Sequence, residues 1–583
     1  MVFRCMLLLS WLGVLANAEE PFWAFQAPQR PSAPESGKSM PSSHRTDLFL
    51  NAALEAKQLA PQSESTDQAY LRRLHLVLTG LPPSAEDQAD FPADDDPNKR
   101  QRLADRLLAS YGFGERLTSF WLPIARYAED QAHEVGNNKS LTYPNAHRYR
   151  QWVIDAFNHD LPYDNFVRYQ LAADLLEANA HRDALGFLGL GPKYYNRGQL
   201  EVKADEWEDR VDTVTRSFLG LTVACARCHD HKYDPISKED YHAMAGVFAS
   251  TEMLNETLPG REPEKDKDGK TKKGAAPAHT RHIVKEGKVQ DLNVFIRGDV
   301  NRKGDKVQRG FLTALSKEKP ITFKEGSGRK QLADALVHPT NPLTDRVMVN
   351  RLWQEVFGRP LVSTPSNFGA LGELPTHPEL LDDLAVEFAQ HRSIKHTVRA
   401  MLESAAFQRE ATAGPNLSEH DPANEWLGRM NRRKLSFEMW RDTLLSASGS
   451  LDPRGGQSLE IEDENNQRRT VYARISRLDL NDVLEQFDYP DPNIHASHRG
   501  DTTTTTQKLY LLNHPFVIAQ ATLLGQQAKD DDDGIALLYQ RLLSRLPEAR
   551  ERHRARTFLD SSEDRWAALT QVLICSNEML FLD

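Results

Sequence analysis

The sequence predicts a mainly α-helical protein of two domains, with a few short strands near their junction. Apolar residues recur at spacings of three and four along most of the 583 residues. Residues that start and stop helices stand at the ends of those stripes. Only Val294 to Arg297 and Val471 to Ile475 read as strands.

Residues 1–18 read as a secretory signal. Arg4 supplies the positive end, Met6 to Leu15 the apolar stretch, and Ala16, Asn17 and Ala18 a small-residue cleavage site. The stretch is too short to span a bilayer, and no later segment is apolar enough. The mature chain is therefore expected to be exported to a periplasm or cell envelope, with no membrane span. Residues 19–44, rich in Pro and Ser, read as a disordered tether.

A first helical domain is expected over residues 45–255. Leu71, Leu74 and Leu78 mark one helix, stopped by Gly80 and Pro82, and Ser84 suits the N-cap of the next. Leu103, Leu107 and Leu108 mark another, and further helical patterns cover 146–158 and 163–177. The clearest helix starts at Glu201, with Trp207, Val211, Val214, Phe218 and Leu221 on one face. Its stripe continues through Cys225 and Cys228, which predicts that both thiols face inward. Asp205, Glu208, Asp209 and Asp212 lie opposite and read as a solvated face. Ser237 to Asp240 resembles a capping box, with Tyr241, Met244, Ala245 and Phe248 on the inner side of the helix it opens.

Residues 256–328 are expected to hold an insertion loop and short strands, the polar run 256–285 forming the loop. A second helical domain follows over 329–583. It contains helices at 329–336, 344–357, 378–390, 394–406 and 435–448, and a helical tail from 506.

The densest chemistry is Cys225-Ala-Arg-Cys228-His229, a C-x-x-C-H box of the kind that attaches c-type haem. The thiols would take up the vinyl groups as thioethers and His229 would bind the iron. Met244 is the expected distal ligand, with His242 and Met253 behind it. Three other readings stay open. The cysteines could form a redox dithiol, although the end of a helix disfavours a thiolate. Cys225, Cys228, His229 and His231 could hold zinc or another divalent metal, with His279 and His282 as a second pair. The cysteines could also be structural. Asp230, His231 and Asp234 could orient His229 or simply cap the turn.

A formal net charge of −11 without a long basic stripe argues against nucleic acid as a partner. No G-x-S-x-G, phosphate loop or H-E-x-x-H is present. The second half gathers Asn350, Arg351, His377, Glu379, Arg429, Asn431 and Arg432, with Asn367, Thr376, Asp488 and Asn513. Together they could grip a sulfated or carboxylated sugar, or cap helices and tie loops.

The run from Gly220 to Ser237 resembles the planctomycete-type cytochrome c-like domain of exported bacterial proteins, as do Leu71 to Pro83 and Trp152 to Asn158. Asn341 to Trp353, Pro375 to Leu380, Arg429 to Arg433 and Leu511 to Phe516 are similar to the planctomycete-specific domain that follows it. The resemblance covers nearly all of the mature chain. It implies an exported protein of a haem-bearing kind; with the box, the leading reading is one covalent haem c serving electron transfer or haem-dependent redox. Relatives are associated with sulfatases and polysaccharide breakdown, so a redox partner or exported carbohydrate-active enzymes are the expected company. A non-haem scaffold for glycans or exported enzymes and a metal-dependent hydrolase using the His/Asp-rich turn are the rival functions. Two departures stand out. No further C-x-x-C-H domain precedes this one, and Thr502 to Thr506 runs into Gln507 where relatives carry a proline.

Overall fold

The computed structural model describes residues 22–35, 37, 42–132, 141–261, 279–316, 320–528, 532–560 and 565–583. The expected signal at 1–18 and the lysine-rich run 265–273 lie outside them. The fold is mainly α and two-domain, with three two-stranded antiparallel sheets among the described residues. No described helix is long and apolar enough to cross a membrane.

Local sequence sets the helix boundaries. Thr66 caps the helix Asp67–Thr79 through the amide of Ala69, and Gly80 ends it in the left-handed region. Ser84 caps Ala85–Ala93. Ser237 and Asp240 form the expected capping box of Lys238–Ala249. Gln507 closes a second capping box with Thr504 and opens the helix Thr505–Asn513.

Strands were less legible. β1 (Thr251–Thr257) pairs with β2 (Thr280–Glu286) over seven residues, and Thr280 to Val284 are buried. The expected loop over 256–285 is thus partly strand. Charged Arg281 hid it, because its guanidinium reaches Glu256 across the ladder. β3 (Leu292–Phe295) and β4 (Lys303–Val307) form a hairpin. Val471 to Ile475 is no strand. Thr470–Tyr472 forms a 3-10 turn with one parallel bridge, Leu459 to Ala473.

The two domains share one buried apolar cluster running from Ala24 to Leu582. Phe22 to Phe25, in the expected disordered tether, belong to it. Trp23 stacks near Phe368, Arg346 lies over its ring, and Ala24 is fully buried. Arg346 also donates to the carbonyl of Gln26, and Arg45 to that of Pro31. Downstream, β5 (Arg433–Lys434) pairs with β6 (Phe581–Leu582). Arg72 and Arg73 of the first domain donate to the carbonyls of Glu578, Phe581 and Asp583.

A buried polar hub crosses the same junction. Arg469 donates to Glu115 at 2.7 Å, Asp442 at 3.1 Å and the carbonyl of Thr79 at 2.7 Å. The hydroxyl of Tyr472 donates to the other oxygen of Glu115, and Thr470 donates twice to Asp442.

Candidate functional site

The long helix Leu200–Phe218 leads into the C-x-x-C-H box, and Gly220 separates them. Gly220 has φ +59°, and a Cβ there would meet Phe368 at 2.9 Å and Val347 at 3.1 Å. The helix cannot continue. The chain resumes as the 3-10 helix Val223–Arg227, with a period of three residues per turn. Val223 and Ala226 take the inward positions, so Cys225 and Cys228 turn outward and are exposed. This reverses the expectation of inward thiols, which assumed an unbroken 3.6-residue stripe.

His229 is exposed beside them, and its Nδ1 donates to the carbonyl of Asp230 at 2.7 Å. That bond fixes the neutral tautomer with the lone pair on Nε2, the form that ligates a metal. Gly298, on the β3–β4 hairpin at φ +76°, lies against Cys228; a Cβ there would stand 2.5 Å from its sulfur.

The rest of the turn is occupied in holding itself. His231 has a buried side chain. Its Nδ1 accepts from the Asp234 amide at 2.9 Å and its Nε2 donates to Thr222 at 3.1 Å, so neither nitrogen is free to ligate. Asp234 accepts from the amide of Ala370, and Asp230 from that of Lys238. The zinc reading of the box loses a ligand for this reason. Among the described residues one trio of donors lies within 4.8 Å, and it is Glu387, His391 and His396 elsewhere on the surface.

The expected distal ligands are also engaged. Met244 is fully buried in the apolar core. His242 donates to the Lys238 carbonyl and accepts from the Phe295 amide. Met253 accepts from Arg210. The face opposite the helix stripe is not merely solvated. Arg126 grips Asp209 with two bonds of 2.7 Å, Arg216 holds Asp212, and Arg227 holds Asp205 and Glu208.

The polar residues of the second half do not converge. Asn350 exchanges two bonds with the backbone of Val362. Arg351 donates to the carbonyls of Arg216 and Ser217, closing the end of the long helix. Asn431 caps the helix Thr344–Phe357 at the Phe357 carbonyl, and Arg429 ties the turn at Asp421. Arg432 pairs with Asp583 and Glu379 is exposed.

His377 packs edge-on against Trp426, and burial pushes its pKa down from 6.5 to about 4. It is neutral at neutral pH in both folded and unfolded chains. Below 6.5 the unfolded chain takes the proton and the folded chain does not, so stability falls as pH drops from 6.5 towards 4. His377→Phe is expected to flatten that limb of a urea-denaturation pH profile by on the order of 3 kcal/mol.

Two groupings escaped the sequence because their members are far apart. Ser366 donates to His495 Nε2 at 2.7 Å while His495 Nδ1 donates to the Ile124 carbonyl. This has the form of a nucleophile–base pair, but both residues are buried and the pair ties the junction. Lys193 Nζ lies 2.6 Å from His282 Nε2, and His282 Nδ1 bonds Asn255. Burial, then the cations Arg197 and Arg210, push Lys193 well below its ordinary range. His282 is thereby removed as the second metal ligand that the sequence offered.

Residues 45–253 match the family described as PSCyt2, a protein of unknown function (DUF1549). Residues 328–559 match PSD1, a protein of unknown function (DUF1553). The two domains occur here as a pair. No curated protein and no solved structure matches the chain.

Proposed function

We propose that this pair of PSCyt2 and PSD1 domains forms an exported protein that carries one covalently attached c-type haem, for electron transfer or haem-dependent redox. Cys225 and Cys228 would hold it by thioether bonds and His229 Nε2 would face the iron. The carrying observation is that one turn presents two free exposed thiols next to a histidine whose Nδ1 is already bonded to a carbonyl. A haem held there would supply one-electron transfer.

The surroundings support the reading. Gly298 leaves room beside the Cys228 sulfur. Three segments that form or touch the box carry exposed apolar side chains: Tyr233 on the turn itself, Ile296 next to Gly298, and Leu371 beside the Ala370–Asp234 bond. Such a rim suits the edge of a porphyrin better than bulk water. Met244 is sealed in the core, and His242, His231 and Met253 already have partners, so none of these four is free to serve as a second ligand.

Full-length protein exported by a host with haem c maturation machinery tests the proposal. The expected result is a Soret band and the mass of one haem on the peptide containing Cys225 and Cys228. The C225S/C228S variant should lose both while keeping its far-UV circular dichroism. Stoichiometric alkylation of both thiols in haem-free wild-type protein from that host would sink it. The outward thiols also favour a second reading, a reversible disulfide between Cys225 and Cys228. A non-reducing peptide map of the same preparation separates the two.

A further inference from the structure

The helix Leu200–Phe218 is crossed by a chain of arginine–carboxylate pairs that leaves one arginine over. Arg126 takes Asp209, Arg216 takes Asp212, and Arg227 takes Asp205 and Glu208. Arg197 takes Glu206 in a fork of 2.5 and 2.8 Å. Arg210 is buried and pairs with no carboxylate among the described residues. One Nη donates to the carbonyl of Glu206 and the other to the sulfur of Met253 at 3.3 Å. A thioether is a weak acceptor, and a guanidinium has five N–H donors to satisfy. A buried cation with such partners is under-compensated.

Arg210 lines a cleft of about 410 Å³ between this helix, the end of Lys238–Ala249 and the β1–β2 sheet. Arg197, Lys203 and Lys288 line it too. Its two carboxylates are already used, Glu206 by Arg197 and Glu252 by Lys285. Lys203 and Lys288 are exposed and have no ion-pair partner among the described residues. Trp207 and Phe248 supply an apolar wall. The volume is that of a small-molecule site, and the charge left over is positive.

We propose that this cleft binds a small organic anion whose oxyanion group (sulfate, phosphate or carboxylate) sits on Arg210, with Arg197, Lys203 and Lys288 around it. The guanidinium would exchange its bond to sulfur for charge-assisted bonds to oxygen, which are roughly twice as strong as neutral ones. Lys193 and His282, set beside the same arginines, would gain a compensating negative charge. The site is separate from the C-x-x-C-H box, since none of Cys225, Cys228 and His229 lines this cleft.

Calorimetric titration of the full-length protein with sodium sulfate, sodium phosphate and sodium acetate tests it, each against sodium chloride at equal ionic strength. Saturable one-site binding of at least one oxyanion is expected, and the three arms identify which group is preferred. R210M should weaken that binding about ten- to a hundredfold, the loss of one charged hydrogen bond. K203A/K288A alters exposed lysines only and should weaken it severalfold without changing the unfolding midpoint. Heats no larger than those with chloride would overturn the proposal, as would a folded R210M that binds like wild type. If R210M does not fold, unchanged affinity in K203A/K288A overturns it equally.

Discussion

Arg469→Ala is expected to destabilise the protein by about 3–5 kcal/mol, read from the urea midpoint. The reason is what remains behind. Glu115 and Asp442 are both buried, and Arg469 stands between them with a direct bond to each. Removing the guanidinium strands two carboxylates in a medium where an unpaired charge costs several kcal/mol. Tyr472 and Thr470 would still donate to them, but neutral donors do not replace a cation. The carbonyl of Thr79 would lose its partner as well. Neutralising the stranded groups should recover part of the loss, so R469M/E115Q/D442N is expected to be more stable than R469M. A midpoint for R469A within about 1 kcal/mol of wild type would refute the account.

Gly220→Val should cost about 3 kcal/mol and disturb the box directly. A side chain in the left-handed region costs roughly 1–2 kcal/mol, and overpacking adds about 1–3 kcal/mol. The clash is with Phe368 and Val347, both fully buried and unable to withdraw. Gly220→Ala should lie between valine and wild type. Because this residue ends the helix and starts the 3-10 turn, its replacement should also alter the reactivity of Cys225 and Cys228 towards a thiol reagent in haem-free protein. Equal stability of G220A and wild type would remove Gly220 as the reason the thiols face outward.

These residues also show what the sequence could reveal. Ser84, the Ser237–Asp240 box and the stripe from Trp207 to Phe218 are local devices, set by neighbours within a few positions, and they were legible. The break at Gly220 was not, because it depends on Phe368 and Val347 in the other domain. The same holds for β2, whose partner lies across a long polar insertion, and for every buried arginine. The C-x-x-C-H spelling identified the candidate donors. It could not say that Met244 is sealed in the core or that both nitrogens of His231 are taken. Those facts belong to packing, which no local spacing encodes.

The grip of Arg72 and Arg73 on residues 578–583 fixes the order in which this protein can mature. Their acceptors lie 506 to 510 positions downstream, so these contacts of the helix Asp67–Thr79 span most of the chain. During synthesis the first domain emerges long before that segment does. Until it arrives, Arg72 lacks both of its carbonyl partners and Arg73 keeps only that of Phe407. The wall that residues 578–583 add to this helix is therefore the last part of the first domain's surroundings to be supplied. A chain cut before Glu578 would lack these three acceptors, so the first domain is completed by the last residues of the second.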